Sequence, residues 1–196
     1  HLMWNDCYKI SSIEKYPLPW DKRDIDLAMD SWITHEFEEP WHQGNWQLSL
    51  HNAGHVPGAG MLKVETDNKN ILFTGDFDTR DSPLTNGAKP HDVDILFIEG
   101  TYGGRNHANQ KEELERFVDN IIRVTDKGGT VLIPAFANGR TQDMLMRLYQ
   151  NCPELDVHVD GMGKRITKLQ LNNSQFIRDP KLLNEAWNWC KRVSSK

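Results

Sequence analysis

The sequence predicts an α/β protein, and two observations carry that prediction. Residues 94 to 160 alternate short apolar runs with amphipathic helical stretches. Such alternation requires right-handed crossovers and a parallel sheet covered by helices. The preceding residues instead carry strand patterns separated by long loops, which reads as antiparallel. The shift between the two patterns puts a boundary near Gly103 to Asn109, dividing the chain into segments 1–104 and 105–196.

The elements follow in order. In "WQLSLHNAG" (residues 46–54), Trp46, Leu48 and Leu50 alternate with polar neighbours, the pattern of a half-buried strand running into a loop. "GMLKVE" and "NILFTG" flank the turn "TDNKN" and read as a hairpin. "SPLTNGAKPHDV" is loop. "DILFIE" (94–99) is a continuous apolar run, predicting a strand buried on both faces. In "NQKEELERFVDNIIRVTDKGG", Leu114, Phe117, Val118, Ile121 and Ile122 have helical spacing. Asn109 caps this helix, with Glu112 three residues on, and Gly128-Gly129 ends it. "TVLIPA" reads as a buried strand. "GRTQDMLMRLYQN" reads as a helix with Met144, Leu145, Leu148 and Tyr149 inward. "LDVHVD" predicts a short strand, and "GKRITKLQL" and "PKLLNEAWNWCKR" predict helices.

Composition narrows the function classes. The charged fraction is 26%, ordinary for a folded soluble chain, which argues against disorder. No apolar run approaches the roughly 20 residues of a membrane span, and the N-terminus lacks the pattern of a signal peptide. Cys7, Cys152 and Cys190 are far apart and form no CxxC pair, which fits reduced thiols in a cytoplasmic protein and excludes a cysteine zinc ribbon. The net charge is −5, yet the residues from Gly161 onward, Lys196 included, carry a balance of +6. That basic tail is either a solvated helix face or a phosphate-facing edge.

Chemistry gathers at strand ends. "HNAGHVPGAG" sets two histidines four apart in a glycine-rich loop after a strand. His55 there is either a surface side chain or a metal ligand, for which neutral imidazole suits zinc. Asp76 follows the strand end "FTG", where Gly75 permits a close backbone approach; the carboxylate either caps the turn or bridges two cations. Glu99 ends "DILFIE" in the same way. Sites in layered α/β folds collect where strands finish. "PAFANGRTQ" places Arg140 just before a helix, either an ordinary turn or a phosphate-holding helix start; no GxxxxGK[ST] phosphate loop is present.

These motifs, "AGHVPGAGM", "FTGDFDTR", "DILFIEGTYGG", "VLIPAFANGRTQDMLMRL" and "VDGM", occur in order. Together they resemble the metallo-β-lactamase/β-CASP nucleases, and within them the archaeal mRNA 3′-end processing factors. The resemblance implies part of a metallo-β-lactamase αββα sandwich over 1–104. It implies the N-terminal part of a parallel-sheet β-CASP cap over 105–196. It implies that His55 binds one zinc ion, that Asp76 bridges two, and that Glu99 orients a catalytic histidine. Arg140 would be a weak substrate contact. Ala59 and Gly100 stand where relatives usually have serine.

The family's HxHxDH motif and its late β-CASP histidines do not occur in the sequence. The expectation is therefore an internal segment of a longer zinc-dependent nuclease that hydrolyses RNA phosphodiesters. In isolation it should bind zinc weakly and cleave nothing. Two alternatives stand beside this: a non-catalytic β-CASP homologue acting as an RNA-processing scaffold, and a metallo-β-lactamase-type hydrolase of small molecules. RNA is the expected partner. Trp187 and Trp189 either form exposed apolar surface that would seat a homodimer or pack on the domain's own core.

Overall fold

A computed structural model describes residues 1–193, so Lys196 of the basic tail lies outside the described residues. The chain divides by its contacts into residues 1–36 and 37–196.

The first unit consists of two helices that the sequence reading missed, α1 (Leu2–Glu14) and α2 (Lys22–Asp30). The start of α2 has a legible cause. Asp21 Oδ1 accepts the N–H of Arg23 at 2.7 Å and that of Asp24 at 3.3 Å, and Asp24 Oδ2 accepts the N–H of Asp21 at 2.7 Å. This is a reciprocal capping box built from two aspartates. Trp4 meets Trp32 edge-on at 5.8 Å.

The second unit opens with a five-stranded sheet in sequence order: β1 (Trp41–Gln43), β2 (Trp46–Asn52), β3 (Gly60–Glu65), β4 (Asn70–Phe73) and β5 (Ile95–Phe97). The first four are antiparallel neighbours, and β5 joins β4 in parallel. The expected hairpin between β3 and β4 is present, closed by the Thr66 N–H donating to Lys69 O. The architecture is thus mixed α/β around a mixed sheet.

Register corrects two expectations. On β2 the buried side chains are Ser49 and His51, not the alternate set, and Trp46 is exposed. The polar side is tolerated because it is hydrogen-bonded: Ser49 Oγ lies 2.9 Å from His51 Nε2, and His51 Nδ1 lies 2.7 Å from Glu38 Oε2. That face continues through Met61 and Leu72 into a small core with Ala53 and Ala88. The strand β5 is not buried on both faces. Among the described residues it pairs only with β4, and Ile95, Leu96 and Phe97 are all exposed. A strand is covered on both faces only where layers pack above and below it.

Beyond the sheet come α3 (Gln110–Thr125), α4 (Arg140–Asn151), β6 (His158–Val159), α5 (Gly163–Asn172), α6 (Pro180–Trp189) and β7 (Lys191–Arg192). Asn109 caps α3 as expected, accepting from Lys111 and Glu112. "TVLIPA" forms no strand, and Leu132 within it is 90% exposed. With no strand among the described residues to pair its backbone, this apolar run does not make a sheet. The expected strand–helix alternation is accordingly not one continuous parallel sheet. Instead β6 pairs in parallel with β7 as a separate ribbon.

The main core lies between α4 and α6, with Leu145, Met146, Leu182, Leu183, Ala186 and Trp187 at its centre. On α4 the fully buried set is Gln142, Asp143, Leu145, Met146 and Leu148, while Met144 and Tyr149 are only half-buried. Trp187 belongs to this core, and Trp189 packs on Tyr149 and donates to Pro153 O at 2.8 Å. Leu84, from the loop after β4, also inserts there. Arg178 fixes that loop, donating to Ser82 O at 3.0 Å and pairing with Asp81. Much of the basic tail is similarly committed, with Lys164 on Asp160 and Lys191 on Asp156.

Candidate functional site

One cleft of about 810 Å³ gathers all four residues singled out in the sequence: His55, Asp76, Glu99 and Arg140. Each comes from a different segment. His55 sits in the loop after β2, Asp76 after β4, Glu99 after β5, and Arg140 at the first position of α4.

The loops are locked from behind. Asp78 N–H donates to Ala53 O at 2.9 Å, and Ala88 N–H donates to Asp78 O at 2.8 Å. Gly54 lies inside this lattice with φ of +72°, and a Cβ there would stand 2.2 Å from Asp78 O. Only glycine fits such a position. The residue preceding His55 is therefore clamped against the segment that carries Asp76.

The two aspartates after β4 divide the labour. Asp78 holds the turn: it takes the Arg80 N–H at 2.9 Å and a two-pronged bond from the Arg80 guanidinium at 2.9 and 2.7 Å. That guanidinium holds the Asp78 carboxyl below its ordinary range. Asp76 by contrast is exposed and accepts no hydrogen bond among the described residues. The capping reading of Asp76 thus belongs to Asp78, two residues on.

Glu99 is also engaged. Its Oε2 accepts the Thr101 N–H at 3.1 Å and its Oε1 accepts the Phe77 N–H at 3.4 Å. These bonds, Thr101 first, pull its carboxyl below the ordinary range. Glu99 therefore ties the loop after β5 to the residue beside Asp76.

Arg140 is exposed, with no ion-pair partner among the described residues, whereas the cleft's other two arginines are neutralised: Arg80 by Asp78, and Arg147 by Asp143 at 2.8 Å. Behind Arg140, the buried Gln142 accepts the Gly139 N–H at 2.9 Å and donates to Ala137 O and Thr167 Oγ1. The sequence reading missed Gln142. It also missed Tyr102 and His107, which line the same cleft.

Imidazole and an uncommitted carboxylate are suitable zinc donors. Their number falls short: among the described residues, no three His, Cys, Asp or Glu side chains come together to hold an ion. A catalytic zinc takes three protein ligands, so these residues alone do not make a complete site.

Comparison with known proteins gives this cleft a context. The chain is 33% identical over 189 residues to "RNase aCSPSF2" of Saccharolobus solfataricus, covering 95% of this chain and 38% of that protein. It is 33% identical over 190 residues to "Probable RNase MJ4" of Methanocaldococcus jannaschii, covering 94% of this chain and 44% of that one. This chain is a relative of the β-CASP nucleases. A third similarity, to "Cleavage and polyadenylation specificity factor subunit 3" of Dictyostelium discoideum, is 33% over 150 residues. The chain spans less than half the length of each of these β-CASP relatives. No family model matches it. No helix among its described residues is long and apolar enough to cross a membrane.

Proposed function

We propose that this chain is part of a zinc-dependent, RNA-processing nuclease that hydrolyses RNA phosphodiester bonds. The observation that carries the reading is the convergence of His55, Asp76, Glu99 and Arg140 on one cleft, in a chain whose relatives are named as RNases. Residues 1–104 would then be the metallo-β-lactamase part and 105–196 the opening of the β-CASP cap.

His55 and Asp76 are the ligands that this segment would contribute to a two-zinc centre, to be completed by donors elsewhere in the whole protein. When bound, zinc would supply a hydroxide at neutral pH and Lewis-acid stabilisation of the phosphate. The chain's own residues do the rest. Glu99, held by Thr101 and Phe77, would orient a histidine supplied from outside this segment. Arg140, the cleft's uncommitted arginine, would hold a phosphate oxygen of the strand.

The test is zinc affinity by calorimetry together with cleavage of a single-stranded RNA. The 196-residue chain should bind zinc weakly and leave RNA intact. The whole protein should cleave RNA and lose about 100-fold or more of that activity in Asp76→Ala. A whole protein that cleaves equally well without Asp76 would sink the assignment. RNA binding without cleavage by the whole protein would favour the scaffold reading.

A further inference from the structure

We propose that Tyr102, with His107 and Arg105, forms a base-stacking platform at the cleft for an unpaired nucleobase of single-stranded RNA. The inference rests on the RNA-cleft reading above and assigns that cleft a subsite that holds a base rather than a phosphate.

Three observations lead there. Tyr102 and His107 both line the cleft that holds His55, Asp76 and Glu99. The Tyr102 ring lies 4.5 Å from the His107 ring, tilted by 52°, and the Arg105 guanidinium lies 5.5 Å over it. Even with both neighbours, Tyr102 remains 54% exposed, so ring surface stays open to a ligand.

The loop that carries the ring is held in place. Gly103 N–H donates to Gly100 O at 2.9 Å, and Arg105 N–H donates to Tyr102 O at 3.1 Å. The Arg105 side chain reaches Thr101 O at 3.4 Å, and Thr101 N–H is held by Glu99. The platform therefore hangs from the same carboxylate that faces the proposed reaction centre.

The chemistry selects the occupant. Flat aromatic and guanidinium surfaces stack on bases that are not already stacked in a duplex. A guanidinium over an aromatic face is itself stabilised by the ring's quadrupole and keeps a cation beside the base's phosphate. With Arg140 in the same cleft, positive charge flanks an aromatic surface, the combination that binds single strands without reading sequence. An aliphatic ligand would gain nothing from the cations, and a duplex would not expose a base face.

The experiment is equilibrium binding of this chain to a single-stranded RNA of about 12 nucleotides carrying one 2-aminopurine, moved along the strand. Stacking on the platform quenches the probe. Tyr102→Ala should weaken binding about tenfold and restore that fluorescence. Tyr102→Phe should keep both, because the ring face is retained; far-UV circular dichroism checks that each variant is folded. If Tyr102→Ala binds and quenches like the unaltered chain while Arg140→Ala weakens binding, the platform is wrong and the RNA cleft stands. If the unaltered chain binds no single-stranded RNA, the platform and the cleft reading fall together.

Discussion

Val56 presses its Cγ1 against the bare α-carbon of Gly139, so that a Cβ added at Gly139 would stand only 2.5 Å away. This contact joins the loop of His55 to the turn that opens α4 with Arg140. It sets how two of the four cleft residues sit relative to one another. Gly139 also has φ of +83°, where side chains other than glycine are strained.

Gly139→Ala should therefore destabilise the chain by about 1–3 kcal/mol, through overpacking and backbone strain together. Urea unfolding measures it. Adding Val56→Ala should recover the overpacking part but not the strain, a non-additivity that a double-mutant cycle reads directly. An unchanged midpoint in Gly139→Ala would refute the contact.

How far the sequence foretold this site depends on what each residue relies on. His55, Asp76 and Glu99 are legible because each follows a segment whose pattern marks a strand and which is one, and the strand places its end. The strand predicted at "TVLIPA" failed because periodicity cannot see whether a neighbouring backbone exists to pair with it. Alternation does not show that the polar face of β2 is the inner one, because hydrogen bonds among Ser49, His51 and Glu38 are what make its burial tolerable. α2 was within reach: the Asp21–Asp24 pair is a capping signal, though one with aspartate in place of the usual Glu or Gln. Gln142 was not, since a glutamine on a helix gives no sign that the folded chain will surround it with four partners.

That glutamine leads to a second expectation. Gln142 is fully buried, and its amide satisfies Gly139 N–H, Ala137 O and Thr167 Oγ1. Gln142→Leu keeps the volume and leaves the Gly139 N–H and Ala137 O without that partner, while the Thr167 hydroxyl keeps its bond to Gly163 O. A buried polar group left unmatched costs about 1–3 kcal/mol. The loss should be seen in thermal unfolding, and it should be smaller in a Thr167→Val background, where the Gln142 amide has already lost one of its acceptors. Additive losses would mean that the two side chains do not act together.

His91 gives a pH dependence. Its ring lies 4.2 Å from that of His51, and burial, followed by the charges of His51 and Lys63, holds its pKa below the ordinary 6.5, with Glu38 opposing. The unfolded chain therefore takes up the proton first. Stability from a neutral His91 is full above pH 6.5 and is lost as pH falls through the lower folded value. Melting temperatures from pH 8 to 5 should decline less steeply in His91→Phe than in the unaltered chain. Parallel curves would mean that His91 does not carry the effect.

Glu99 should titrate in the opposite sense to a buried acid. Its carboxylate is fixed by the Thr101 and Phe77 N–H groups and lies near His55, all of which favour the charged form and lower its pKa from 4.5. The two hydrogen bonds are then fully present above pH 4.5 and weaken only as pH drops through the lower folded value. The amide proton of Thr101 reports this directly. Its chemical shift should titrate with a midpoint below 4.5 and should stop titrating in Glu99→Gln. Because Thr101 begins the loop that carries Tyr102, the same variant should loosen that loop and raise amide exchange from Thr101 to Arg105. A midpoint at or above 4.5 would mean that Glu99 is not anchoring the loop, and the cleft would lose the tie between its carboxylate and its aromatic wall.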